Sequence, residues 1–156
     1  MTPSSTLLTT LLLLVTLTLA CATAATPPAT LNANTIKVYT ASQLGLNATA
    51  AASVFAADAK LTIPLGSPPL QGQEAIMEFY SKFNSALDEL VEIPGKEIFN
   101  GDTFVSYEKE GEMFFKNGQS NTFFAITVWE TDPTSPVFDP NTGLEFAPIV
   151  EGMITF

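Results

Sequence analysis

The chain has 156 residues, with 16 acidic side chains against 6 lysines, no arginine, no histidine and a formal net charge of −10. That length suits one domain rather than two. The charge disfavours nucleic acid and anionic membranes as partners, and the missing histidines remove the usual neutral-pH proton shuttle and the commonest metal ligand.

Residues 1–24 read as a secretory signal. An apolar run from Leu7 to Ala20 is broken only by threonines, and Ala20-Cys21-Ala22 and Ala22-Thr23-Ala24 both fit a small-residue cleavage site. The leader has no Lys or Arg before the run, so an uncleaved anchor is the competing reading. The run is short and Thr-rich for a membrane span. The expectation is a secreted protein that has no membrane contact after signal removal. Cys21 is the single cysteine, so cleavage beyond it leaves no disulfide and no thiol chemistry. With histidine also absent, neither a metal nor a cofactor is expected.

Residues 25–33 read as a Pro/Thr linker, and 34–156 as the domain. Residues 34–44 are ambiguous: Thr35, Ile36 and Val38 favour strand, while Ile36, Tyr39 and Gln43 can share a helical face. Asn47 suits the N-cap of an Ala-rich helix reaching about residue 57. It also opens Asn47-Ala48-Thr49, a glycosylation acceptor in a eukaryotic host. Residues 60–65 form a short strand, stopped by Pro64 and Gly66. Residues 73–87 form an amphipathic helix, with Ile76, Phe79, Tyr80, Phe83 and Leu87 on one face.

The remainder is strand-rich. A segment over 90–99 bends at Pro94-Gly95. Asn100-Gly101 and Asn117-Gly118 are hairpin turns around a long strand over 103–116. Residues 121–131 alternate with both faces apolar: Phe123, Ala125, Thr127 and Trp129 on one side, Phe124, Ile126 and Val128 on the other. Two apolar faces imply cover on both. A Pro/Asp-rich loop over 132–143 leads to a last strand over 146–156. The pattern predicts an α+β fold, in which a curved antiparallel sheet wraps one long helix and leaves an apolar cavity at its open end.

Phe55, the turn ending Asp58-Ala59, a strand running to Pro64 and Gly66, and the helix start Gly72-x-Glu74-x-Ile76-x-x-Phe79-Tyr80 form a gap-free pattern. This stretch resembles the steroid delta-isomerase and SnoaL-like branch of the nuclear transport factor 2-like superfamily. The resemblance implies the cone-shaped fold of that superfamily. In its isomerases a carboxylate moves a proton beside a ketone, while a Tyr and a protonated Asp hold the oxygen. Carried over by position, Ile63 stands where the base belongs and Thr127 where the donating Asp belongs. Tyr39 falls at the oxyanion tyrosine, Tyr80 at a tyrosine that bonds it, and Phe55 at a further aromatic position.

Three readings follow. The first is a binding module for an apolar small molecule, held by Tyr39, Phe55, Ile63, Phe79, Tyr80, Phe83, Phe123, Thr127 and Trp129, without the standard base. The second is an enzyme related to ketosteroid isomerases or polyketide cyclases with a different acid/base, drawn from Asp102, Glu108, Glu110, Glu112 or Glu130. The third is an interaction domain, a homodimer joined through Phe124, Ile126 and Val128.

Overall fold

The structure, a computed structural model, describes residues 25–93 and 95–156. The expected signal over 1–24, with Cys21, lies outside them. Helix α1 (Pro28–Leu44) opens with Pro28 in its first turn, where the fixed φ of proline suits a helix start. It therefore begins inside the stretch expected to be a linker, and Leu31 and Asn32 of that stretch are buried. The β-branched residues that made 34–44 ambiguous are overridden by tertiary packing, because Leu31, Thr35, Val38, Tyr39 and Ser42 line one buried helical face.

Side-chain hydrogen bonds fix this helix in place. Asn32 Nδ2 donates to the Gly101 carbonyl at 2.8 Å, and Thr131 Oγ1 donates to Asn32 Oδ1 at 2.6 Å. Thr35 Oγ1 donates to the Ala147 carbonyl, and Asn34 Nδ2 to that of Glu145. Helix α2 (Ala48–Ser53) is capped by Asn47, whose side chain accepts from the Ala50 N–H. It stops short of residue 57, because β1 (Phe55–Thr62) already begins at Phe55.

Strand β2 (Leu70–Gln71) follows, then α3 (Gln73–Ser85), which buries Ile76, Tyr80 and Asn84. The expected 90–99 segment is two strands, β3 (Leu87–Ile93) and β4 (Glu97–Asn100). Both Asn-Gly turns form: β4 turns into β5 (Phe104–Phe115), and β5 into β6 (Ser120–Thr131). A small hairpin, β7 (Val137–Asp139) with β8 (Leu144–Phe146), precedes β9 (Ile149–Thr155).

The expected cone is not what forms. Among the described residues the main sheet runs β2-β1-β9-β6-β5-β3, with β4 also on β5. The path is open: its edges β2 and β3 do not pair, so the sheet neither closes nor curls around a helix. Nor is it purely antiparallel, since β1 and β9 pair in parallel with Leu61 opposite Gly152. Among the described residues the longest helix is α1, not the amphipathic α3. Val38, Tyr39, Ala51, Ile76 and Tyr80 from the helices share one core with Leu61, Val105, Ala125, Trp129 and Ile154 from the sheet.

The alternation expected in β6 is present, but its two sides are unequal. Ala125, Thr127 and Trp129 are buried, whereas Phe124 on the opposite side is 53% exposed. Trp129 packs onto the bare backbone of Gly152, where a Cβ would collide with the indole.

Candidate functional site

Helix α1 brings Tyr39 and α3 brings Tyr80 to the same point in the core, where their hydroxyls lie 2.8 Å apart. Either hydroxyl can donate in this bond. One O–H is then used internally and the other is free for an acceptor. Tyr39 is held edge-on by Trp129, with ring centres 5.2 Å apart, and by Phe55 at 6.3 Å.

Beside the tyrosine pair lies a cavity of about 250 Å³, just under the usual range for small-molecule sites. Its walls are almost wholly apolar. Ile63, Phe79, Phe83 and Phe123 border it with Leu90, Met113, Ile154 and Phe156. Phe79 and Phe83, one helical turn apart on α3, stack with nearly parallel rings.

Two charges interrupt this wall. Glu92 on β3 and Lys109 on β5 form an ion pair, Oε1 to Nζ at 2.5 Å, with side chains only 3% and 8% exposed. The antiparallel register sets Glu92 opposite Gly111, so Lys109 lies two residues along the same inward face. The Lys109 ammonium also stands 5.4 Å from the Tyr39 ring centre and 5.9 Å from that of Phe123, within cation–π range. A buried pair of this kind is weak evidence for stability, because desolvation offsets the attraction. A charged pair in an apolar cavity wall is a candidate for a functional site.

The buried tyrosines stay protonated through the neutral range. Burial pushes the Tyr39 hydroxyl well above its ordinary value, and Tyr80, Tyr107 and the negative charge of Glu92 push it further. Burial likewise raises Tyr80 and Tyr107, with Glu92 adding to both shifts. They are therefore hydrogen-bond donors, not anions.

Of the residues expected to meet a ligand, Tyr39, Ile63, Phe79, Tyr80, Phe83 and Phe123 border the cavity. Phe55, Thr127 and Trp129 do not. Phe55 and Trp129 pack behind Tyr39, and the Thr127 hydroxyl already donates to the Tyr107 carbonyl at 3.2 Å. The carboxylates Asp102, Glu108, Glu110, Glu112 and Glu130 are also off the wall. The last four occupy even positions of β5 and β6, on the face opposite buried Tyr107 and Trp129. Sequence reasoning missed Glu92, Lys109 and Gln43. Period-two alternation is the signal for the two charges: Leu90 and Glu92 share one side of β3, and Tyr107, Lys109 and Met113 share one side of β5.

Asn47 is exposed on the surface, with its Oδ1 committed to the cap. Among the described residues no group of three or more His, Cys, Asp or Glu is placed to hold a metal ion. No helix among them is long and apolar enough to cross a membrane.

No family model matches the chain, and no curated protein matches it. Solved structures do. A protein of ketosteroid isomerase-like fold from Catenulispora acidiphila, in complex with trimethylamine, aligns at TM-score 0.62 and 15% identity, over 80% of this chain and 86% of that one. SalBIII, described as an epoxide hydrolase/cyclase-like enzyme in pyran ring formation in the polyether salinomycin, aligns at TM-score 0.62 and 17% identity, over 78% and 87%. A ketosteroid isomerase-like protein from Erwinia carotovora atroseptica aligns at TM-score 0.57 and 9% identity, over 80% and 92%. At such identities the likeness establishes the fold alone: this chain has a ketosteroid isomerase-like α+β fold.

Proposed function

We propose that this ketosteroid isomerase-like fold carries an acid–base enzyme, which moves a proton on a small apolar substrate bearing a carbonyl oxygen. The observation that carries the reading is the Glu92–Lys109 pair in an otherwise apolar cavity wall, beside the Tyr39–Tyr80 hydroxyls. Fold alone does not assign chemistry; the charges and donors of this cavity support this reading.

In this reading Glu92 accepts a proton from the carbon next to the carbonyl. The C–H electron pair moves into the enolate, and the oxygen takes the free tyrosine O–H as its hydrogen bond. Reprotonation from Glu92 closes the cycle. Lys109 supplies the counter-charge that lets a carboxylate sit in an apolar wall, and a cation near the developing negative charge. Glu92 is a different base from the residue of the isomerases, whose position holds Ile63. Conventional steroid isomerisation is accordingly expected to be negligible.

The test is hydrogen exchange in D2O at the carbons flanking the carbonyl of trans-2-decalone, followed by mass spectrometry. Exchange above the buffer rate in the presence of protein supports the proposal. Binding of the ketone without exchange reduces the cavity to a binding site.

We also propose export through the 1–24 leader, tested by sequencing the N-terminus of the mature protein. Pairing of two copies through Phe124, Ile126 and Val128 is proposed on the exposure of Phe124, together with Met153, 39% exposed and opposite Val128 in the register.

A further inference from the structure

Helix α1 buries five polar side chains besides Tyr39, and they are not equally satisfied. Asn32, Asn34 and Thr35 each hold a hydrogen bond to the surrounding fold, and the Ser42 hydroxyl donates to the Tyr39 carbonyl within the helix. Gln43 does not. It is 3% exposed, borders the apolar cavity, and its Nε2 has no partner. A buried donor left unpaired is costly, and native cores rarely keep one without a reason. Gln43 follows Tyr39 by four residues, so the two share one face of α1 and one cavity wall.

We infer that Gln43 is a specificity-determining residue, which gives an N–H to the same ligand oxygen that takes the free tyrosine O–H. The terminal torsion of glutamine is soft, so the carboxamide can turn this N–H to the cavity. Two donors on one wall select a ligand oxygen that accepts two hydrogen bonds, such as a ketone oxygen, over a hydrocarbon of the same shape. The inference rests on the reading that this cavity holds the substrate, and it adds a second donor for the carbonyl oxygen of that substrate. A site with a built-in donor discriminates against analogues lacking the acceptor, because the donor is then left unpaired.

The experiment compares trans-2-decalone with trans-decalin by titration against the wild type, Gln43→Met and Gln43→Leu. The wild type is expected to prefer the ketone. Both variants should bind the ketone about tenfold more weakly, as one neutral hydrogen bond implies, and bind the hydrocarbon no worse. Both should melt no lower than the wild type, since an unpaired polar group has been replaced by an apolar one; a residue with a purely structural role would instead lower the melting temperature. Wild-type binding of the ketone with unchanged affinity in both variants overturns this inference alone. Failure of the wild type to bind either probe overturns the substrate-cavity reading and this inference with it.

Discussion

Glu92 and Lys109 meet across two antiparallel strands, 2.5 Å apart and nearly closed to solvent, on the wall of a cavity that is otherwise apolar. Each residue is explained by the other, but the pair is not explained by stability. Two well-packed apolar side chains would fill the same space without the cost of desolvating two charges.

A double-mutant cycle separates the two roles of the pair. Lys109→Met alone leaves a carboxylate buried without its counter-ion and should cost about 3–5 kcal/mol. Glu92→Leu combined with Lys109→Met should be neutral, or more stable than the wild type. Denaturant midpoints check both values. A double variant as damaged as the single one would mean that the pair is a structural requirement.

Stability should fall at alkaline pH. The hydroxyls of Tyr39, Tyr80 and Tyr107 are all raised in the folded protein, by burial first. A raised folded value means that the folded state holds its proton more tightly than the unfolded chain. The contribution is therefore fully present below the unfolded tyrosine value of about 10, and is lost as pH rises from there toward the folded values. Urea midpoints from pH 8 to 11 should decline beyond about pH 10, with a shallower decline for Tyr107→Phe. A variant curve parallel to that of the wild type would contradict the assignment.

Much of the chain is legible because its signals are local. The helical spacing of Ile76, Phe79, Tyr80 and Phe83 and the two Asn-Gly turns need no distant partner; Leu87, read onto the same helical face, instead opens β3. Strand order is different: β1 pairs with β9, some ninety residues later, and no local pattern announces a parallel partner. The two apolar faces of β6 suggested cover on both sides, yet the helices cover only one and Phe124 stays exposed. The central charges were hidden for a related reason. Lys109 lies between Glu108 and Glu110, and such a run reads as a solvated face. Alternation sends the two glutamates outward and the lysine in, and only the register with β3 brings Glu92 to it.

Pairing through the outer sheet face should depend on salt. Phe124, Ile126, Val128 and Met153 share that face with Glu108, Glu110, Glu130 and Glu151, by the registers of β6 with β5 and β9. In a symmetric pair these carboxylates repel, and salt screens them. Sedimentation should show association that strengthens from low to moderate ionic strength and is abolished by Phe124→Lys. A monomer under all conditions would remove the proposal.

The most direct test of the proposed chemistry is the rate of hydrogen exchange into trans-2-decalone catalysed by Glu92→Gln relative to the wild type. This substitution keeps the size of the side chain and removes the base. The expected result is a loss of about 10²–10⁴-fold in rate, with ketone affinity within a few-fold of the wild type. An unchanged exchange rate in a folded Glu92→Gln protein would contradict it.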